Sequence, residues 1–142
     1  MTMTLQEISD RLEIQDLLAR YSHAIDTRDW DALDGVFSDD ADIDYTAFGG
    51  PAGKLPEIKA FLDKALGGFV GFQHLVAAPT ITFDGDRATA KTYCHNPMVV
   101  SDDGERQKVW FIGLWYHDEL VRTPDGWRIS HRHEEKCYAL MD

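Results

Sequence analysis

The chain has 142 residues, of which 44% are hydrophobic and 27% are charged, and its formal charge at pH 7 is −11. This length suits one domain with a sizeable core, so we take residues 1–142 as a single unit. A chain this acidic repels phosphate backbones and anionic membrane surfaces, which argues against nucleic acids and membranes as partners.

The N-terminal residues and the cysteines predict a cytoplasmic protein without a disulfide framework. The N terminus lacks the basic start and the apolar stretch of a secretory signal peptide. No apolar run approaches the ~20 residues that a membrane-spanning helix needs. Cys94 and Cys137 both fall in predicted strands, and we interpret them as small buried residues.

The first helix is predicted from a capping box and from a helical apolar period. Thr4 and Glu7 have the spacing at which each side chain satisfies the backbone N–H of the other residue. The apolar residues form one stripe, which comprises Leu5, Ile8, Leu12, Ile14, Leu17, Leu18, Tyr21 and Ile25. Asp29 then has the position of a cap for a short second helix that runs through Phe37.

The rest of the chain is predicted to be one more helix followed by long strands. Residues 41–45 alternate like a short strand, and Pro56 begins a third helix that ends at Gly67. Turn sequences typical of hairpins separate four strand-like runs, at 70–83, 87–101, 106–122 and 126–137. Helices followed by hairpin strands predict an α+β fold, with the helices packed on one face of a curved antiparallel sheet.

Asp26 and His74 are the residues that say most about chemistry. Asp26 lies at the predicted end of the first helix, and His74 shares the buried face of its strand with Phe72 and Val76. A carboxylate that meets an imidazole in an apolar cavity fixes the ring tautomer and makes a general base without a metal or cofactor. Each residue also has an ordinary interpretation, since Asp26 can cap or pair at a helix end and His74 can be a core histidine.

The order of elements resembles the nuclear-transport-factor-2-like superfamily and, within it, the SnoaL-like proteins. The segments that carry the resemblance are EIQDLLARY at 13–21, DTRDWDAL at 26–33, FSDDA at 37–41 and GWRI at 126–129. The resemblance covers essentially the whole chain and implies a cone-shaped sheet wrapped around N-terminal helices, with a central apolar pocket. Because the superfamily contains enzymes, binding proteins and assembly subunits, the fold leaves the function open.

Within this superfamily the chain is most similar to a branch with scytalone dehydratase, bile acid dehydratases and hexachlorocyclohexane dehydrochlorinase. The resemblance implies that Asp26 supports His74 and that the pair removes a proton from the substrate. It implies that Tyr45 polarises the substrate through water and that Tyr21 lines the pocket. Tyr21 is equally well explained as core, since it shares the apolar stripe of the first helix. A regular helix points Tyr21 and Asp26 about 140° apart, so both can line one pocket only if the helix ends or distorts between them.

The resemblance also implies a second polar partner of the substrate in the strand 87–101. Strict alternation from Ala88 points Asn96 into the pocket and His95 out of it. A bulge at Pro97 would reverse this assignment. Asn96 is therefore the preferred candidate, and His95 is the alternative.

Aromatic residues on the later strands support two predictions, a pocket wall and an interface between subunits. Trp110 is assigned to the pocket, because an apolar pocket with aromatic walls needs several such residues. Many proteins of this fold dimerise through the outer face of the sheet, so the resemblance implies a homodimer or a higher homo-oligomer. Trp110, Trp115 and Tyr116 fit that interface.

The last two predicted strands carry basic residues that are candidates for binding. Arg132 matches, by position, a basic residue that the resemblance implies for the pocket. His117, His131 and His133 suggest a metal site, but no helical ligand pair or Cys-x-x-Cys motif accompanies them, so none is expected. Alternation also places Arg132 on the opposite strand face from His131 and His133.

Taken together, these patterns predict a lyase of dehydratase type that needs no cofactor and acts on a small cyclic or aromatic substrate. His74 would be the base, Asp26 would hold its other ring nitrogen, and Tyr45 would bond the oxygen where charge develops. Help for the leaving group would come from Tyr21, Asn96 or protonated His74. The alternatives are an isomerase or polyketide cyclase with the same pair, and a non-catalytic ligand-binding or assembly protein.

Overall fold

The helices and strands are those of a computed structural model, which describes residues 2–141. In chain order they are α1 (Leu5–Asp26), a 3-10 helix (Trp30–Gly35), β1 (Phe37–Asp44), a second 3-10 helix (Thr46–Phe48), β2 (Ala52–Lys54), α2 (Leu55–Leu66), β3 (Gly71–Phe72), β4 (Leu75–Val76), β5 (Thr80–Asp84), β6 (Arg87–Ser101), β7 (Gln107–Thr123) and β8 (Gly126–Met141). Within this range no helix has both the length and the apolar character to cross a membrane.

All strands in the described range belong to one sheet, which curves around the helices without closing. Its order is β2-β1-β8-β7-β6-β3, and β4 and β5 also pair with β6. Register shifts between β7 and β8, at Gly113/Leu114 and at Glu119/Leu120, mark bulges that bend these long strands. This α+β cone confirms the predicted fold class.

Three details of the predicted fold are wrong. Phe37 was predicted to end the second helix, but it begins β1 and pairs with Ile129 of β8. This β1–β8 pairing is parallel, so the sheet is mixed rather than purely antiparallel. The predicted strand 70–83 is also divided into β3, β4 and β5, each of which pairs with a different part of β6.

Helix α1 begins as predicted but buries a different face over its first turns. Thr4 Oγ1 accepts from the Glu7 N–H at 3.1 Å, and Glu7 Oε2 accepts from the Thr4 N–H at 2.7 Å, which confirms the capping box. The first three residues of the predicted apolar stripe are exposed: Leu5 by 86%, Ile8 by 39% and Leu12 by 60%. The buried position is instead Asp10, because its carboxylate accepts hydrogen bonds from Arg122 and from the Trp127 indole.

Strand β6 has the register that strict alternation predicts. Its buried residues are Ala88, Ala90, Thr92, Cys94, Asn96 and Met98. Pro97 pairs in register with Phe111 of β7, so no bulge interrupts the alternation there. Asn96 therefore faces the inside of the cone, and His95 faces the outside.

The outer face of the sheet carries fewer of the predicted aromatics than expected. Trp115 lies there, with the 63% exposed Tyr93 at a ring-centre distance of 5.6 Å. Tyr116 is buried in the core and Trp110 faces the inside, so neither contributes to an outer interface. Cys137, which was predicted to be buried, is exposed, because it lies in the bulge between the paired residues Lys136 and Tyr138. The homodimer and the cytoplasmic location stay predictions.

Candidate active site

The Asp26 carboxylate binds His74 through both of its oxygens. Oδ2 accepts the backbone N–H of His74 at 3.0 Å, and Oδ1 lies 2.8 Å from the ring nitrogen Nδ1. Because a carboxylate only accepts hydrogen bonds, the ring proton is on Nδ1 and Nε2 is the basic nitrogen. The His74 side chain is 8% exposed and that of Asp26 is 24% exposed. The structure thus brings together the two residues that lie far apart in the sequence.

Arg28 connects the end of α1 to the segment that leads to His74. Its φ of 55° lies in the left-handed region, which is uncommon for residues with a side chain. Its guanidinium donates to the carbonyl of Phe69 at 2.9 Å and lies 4.7 Å from the centre of the Phe72 ring. These contacts fix Asp26 and His74 relative to each other, a role for Arg28 that the sequence analysis did not anticipate.

His74 lines a cavity of about 180 Å³ between the helices and the sheet. An engineered apolar cavity of about 150 Å³ is known to hold benzene, so this space suits a small ring compound. Most of the lining is apolar and comes from α1, α2 and the inner face of the sheet. The polar residues in the lining are Tyr21, Tyr45, His74, Asn96, Tyr116 and Glu134. A few polar groups on apolar walls are typical of small-molecule sites.

Tyr21 and Tyr45 form a buried pair of phenols in this wall. Their hydroxyl oxygens are 2.6 Å apart, and the two residues are 2% and 5% exposed. Burial raises the pKa of Tyr21 and raises that of Tyr45 well above its ordinary value, so both hydroxyls keep their protons near neutral pH. One hydroxyl donates to the other, so the second proton of the pair is available to a further acceptor, either the Tyr116 hydroxyl beside Tyr21 or a ligand.

The side chains of Tyr21 and Asp26 point in different directions from α1, and each makes a contact that the site needs. Helix α1 continues through Asp26, so the two side chains leave the helix on different sides. Tyr21 lines the cavity, whereas Asp26 reaches His74 from behind the lining. The pair therefore needs no distortion of the helix.

Asn96 and Trp110 line the cavity, whereas His95 does not. Asn96 is 6% exposed, and its Oδ1 accepts no hydrogen bond from residues 2–141. A buried amide oxygen without a partner, in a cavity wall, is an acceptor that a ligand can satisfy. His95 lies on the outer face, where Nδ1 is 3.1 Å from the hydroxyl of Tyr138 and the ring stacks on Phe111. The structure thus removes His95 from the pocket.

Arg132 lies behind the cavity wall, although the sequence predicted it in the pocket. Its guanidinium donates two hydrogen bonds to Asp118, at 2.7 and 2.8 Å, and both side chains are fully buried. Its Cζ atom is 3.9 Å from the centre of the Tyr116 ring and 4.3 Å from that of Tyr21. Arg132 therefore supports two tyrosines of the lining instead of contacting a ligand directly.

The histidines on β7 and β8 lie away from the cavity. The rings of His117 and His133 stack on each other at a centre distance of 4.6 Å, and His131 meets His133 edge to face at 6.1 Å. Arg132 points to the opposite face, as alternation predicts. Between residues 2 and 141, no group of three or more His, Cys, Asp or Glu side chains is arranged to hold a metal ion.

Glu134 is a cavity residue that the sequence analysis missed. It lies two residues after Arg132 on the same face of β8 and pairs across the sheet with Tyr116. Burial raises the pKa of Glu134 to about 7, in spite of the opposing effect of Arg132. Alternation from Arg132 could have indicated this position. However, carboxylates on strands are usually exposed, and the sequence gives no sign that this half-buried one faces a cavity.

We expect Glu134→Gln to become more stable than the wild type as the pH rises from about 5 to 8. The native pKa of about 7 exceeds the ordinary 4.5, so the native state holds the proton more tightly and loses stability through this range. The difference between variant and wild type should grow by up to about 3 kcal/mol. Urea unfolding at both pH values measures it, with Glu119→Gln on the outer face as the control. A difference independent of pH would contradict a raised pKa at Glu134.

The chain is similar to a known protein family and to a mycobacterial protein. Residues 6–133 match the family described as SnoaL-like domain. The uncharacterized protein Rv2910c of Mycobacterium tuberculosis is 52% identical over 139 residues, which cover 98% of this chain and 93% of that protein.

Two solved structures share the fold. Hexachlorocyclohexane dehydrochlorinase (LinA) type 2 has a TM-score of 0.83 at 19% identity, over 96% of this chain and 91% of that chain. A protein of Novosphingobium aromaticivorans that was proposed to be a scytalone dehydratase has a TM-score of 0.81 at 18% identity, over 97% and 91% of the two chains. The family match, which spans most of the chain, leads to one conclusion: the chain belongs to the SnoaL-like family.

Proposed function

We propose that this protein is a lyase of dehydratase type, which needs no cofactor and acts on a small cyclic or aromatic substrate. The observation that carries the proposal is the hydrogen bond of 2.8 Å between Asp26 and His74, in the wall of an apolar cavity. Two proteins of the same fold have names that denote eliminations, of hydrogen chloride and of water. Their likeness supports the class of reaction, and the pair in the cavity supplies a base for it.

In the proposed reaction, His74 Nε2 removes a proton from a carbon next to a carbonyl or aromatic group. Asp26 holds the Nδ1–H and stabilises the imidazolium that forms, as a carboxylate does for any oriented histidine base. The Tyr21–Tyr45 pair donates its remaining proton to the substrate oxygen on which negative charge develops. The carbon–oxygen bond then breaks as the new double bond forms.

The cavity favours a neutral ring compound as the substrate. Phe48, Phe61, Phe69 and Trp110 provide aromatic walls against which a flat ring can pack. The negative charges of Asp26 and of the chain as a whole, at −11, disfavour an anion. The buried, unpartnered Oδ1 of Asn96 favours a substrate that carries a hydrogen-bond donor, such as a hydroxyl group.

A screen of ring-bearing hydroxy ketones tests the proposal. We expect the purified protein to convert at least one of them to a product that has lost one water, as measured by mass spectrometry. His74→Ala should be slower by about 10²-fold or more, since positioned acid–base catalysis is worth that much.

The other outcomes of the screen separate the alternatives. A product of unchanged mass would replace the lyase by an isomerase or cyclase that uses the same base. Tight binding of ring compounds without turnover would favour a ligand-binding protein. If His74→Ala were as fast as the wild type on a compound that is turned over, His74 would not be the base.

A further inference from the structure

Glu134 is a cavity carboxyl that the reaction described above does not use. It projects from β8 into the same cavity as His74. Among residues 2–141 its carboxyl group has no hydrogen-bond or ion-pair partner. Glu134 is half-buried, and a carboxyl group without a protein partner in a cavity wall is available to a ligand.

Glu134 and His74 enter the cavity from different positions along the same inner face of the sheet. Glu134 pairs with Tyr116 of β7, while His74 immediately precedes Leu75, which pairs with His95 of β6. Strands β6 and β7 therefore lie between the two residues, and the curvature of the sheet turns both side chains towards the cavity. His74 and Glu134 therefore line one cavity from positions that are two strands apart.

The groups around Glu134 come from several elements packed against it. The charged and titratable ones are Arg132 on β8, Asp44 on β1, Tyr45 after it, Tyr21 on α1, Tyr116 on β7 and Cys94 on β6. Arg132 gives both of its hydrogen bonds to Asp118, so it makes no ion pair with Glu134. Burial, with a smaller effect of Asp44, outweighs the Arg132 charge and raises the pKa of Glu134 to about 7. Glu134 therefore holds its proton in a large fraction of molecules at neutral pH.

We propose that neutral Glu134 is the general acid of this site and gives its proton to the oxygen that leaves the substrate. The inference rests on the proposed function, in which His74 is the base. As His74 Nε2 takes the proton from carbon, the C–H electron pair becomes the π bond of the alkene. The C–O bond breaks with its electron pair on oxygen, and the Glu134 proton moves to that oxygen, which leaves as water. The imidazolium and the Glu134 carboxylate then return to their starting forms by proton exchange with solvent.

Two leaving groups on the same ring test this role. Hydroxide needs a proton in order to leave, whereas chloride does not. The two test compounds are 3-hydroxycyclohexanone and 3-chlorocyclohexanone, which both give 2-cyclohexenone as the product of elimination. General acid catalysis is worth about 10²–10⁴-fold, so we expect Glu134→Gln to lose at least about tenfold more rate on the hydroxy compound than on the chloro compound. Equal losses on both compounds would overturn the role of Glu134 as the acid.

His74→Ala should slow both compounds, because both reactions begin with removal of the same proton. If His74→Ala slowed neither, the proposed function would fail, whatever the result for Glu134. Glu119→Gln, on the outer face, is the matched control for the loss of a carboxyl and should change neither rate.

A second measurement needs no turnover. Carboxyl ¹³C NMR of protein labelled at glutamate, with Glu134→Gln to identify the resonance, should give a titration midpoint near pH 7 for Glu134. A midpoint near the ordinary value for glutamate, 4.5, would leave Glu134 ionised at neutral pH and would overturn the proposal even if neither compound reacts.

Discussion

Asp26→Asn should lower kcat by about 10²–10⁴-fold and leave the fold intact. The two oxygens of Asp26 accept two different protons, one from the backbone N–H and one from the ring Nδ1 of His74. An asparagine has one acceptor oxygen and an NH₂ group that only donates. If its oxygen keeps the backbone N–H, its NH₂ faces Nδ1, which must then give up its proton. The ring proton moves to Nε2, and the base is lost.

Steady-state kinetics on a compound found in the screen would measure this effect, with circular dichroism and thermal unfolding to show that the fold is kept. Asp16→Asn is the matched control, since Asp16 lies on the same helix with its side chain 68% exposed. The control should have the turnover of the wild type. A kcat for Asp26→Asn within a few-fold of the wild type would show that Asp26 does not act through His74.

The second large effect concerns stability and the ion pair behind the cavity. Arg132→Met should destabilise the protein by about 3–5 kcal/mol, because it leaves the fully buried Asp118 carboxylate without its partner. Asp118→Asn should be similarly costly, since it leaves the guanidinium with no opposite charge. The double variant Arg132→Met/Asp118→Leu should recover much of the loss, because both charges are then absent.

Urea unfolding of the wild type, the single variants and the double variant forms a double-mutant cycle that isolates the interaction of the pair. Lys54→Met provides a surface comparison, because the Lys54–Asp42 pair has side chains that are 51% and 64% exposed. That variant should change the free energy of unfolding far less than Arg132→Met does, because exposed ion pairs contribute little to stability. If Arg132→Met cost no more than Lys54→Met, the buried pair would not contribute to the stability of the cavity wall.

Features that depend on neighbouring residues were well predicted from the sequence. The capping box of Thr4 and Glu7 involves two residues three positions apart, and the structure contains both of its hydrogen bonds. The inward position of Asn96 follows from the two-residue period of a strand, counted from Ala88. Both predictions succeed because the backbone geometry alone determines the relation between the residues.

Local sequence patterns were not enough to predict that Asp26 and His74 meet. Nothing in the spacing of Asp26 and His74 brings them together, and it was the resemblance to a known family that singled them out. In the structure Arg28, with its left-handed backbone, connects the helix end to the segment before His74 through a hydrogen bond to Phe69. Such a connection between distant segments has no signature in the sequence.

The sequence by itself thus determined the two helices, the long strands and the side chains that face inward along β6. The tertiary structure alone decided which polar side chains reach the cavity. Arg132 lies behind the wall, where it donates hydrogen bonds to Asp118 of the neighbouring strand. On α1 the buried position holds Asp10 instead of an apolar residue, because Arg122 binds the Asp10 carboxylate. Glu134 becomes a group with a pKa of about 7 only through burial by residues from other elements. Charge and protonation depend on three-dimensional surroundings, and segments far apart in the chain supply them.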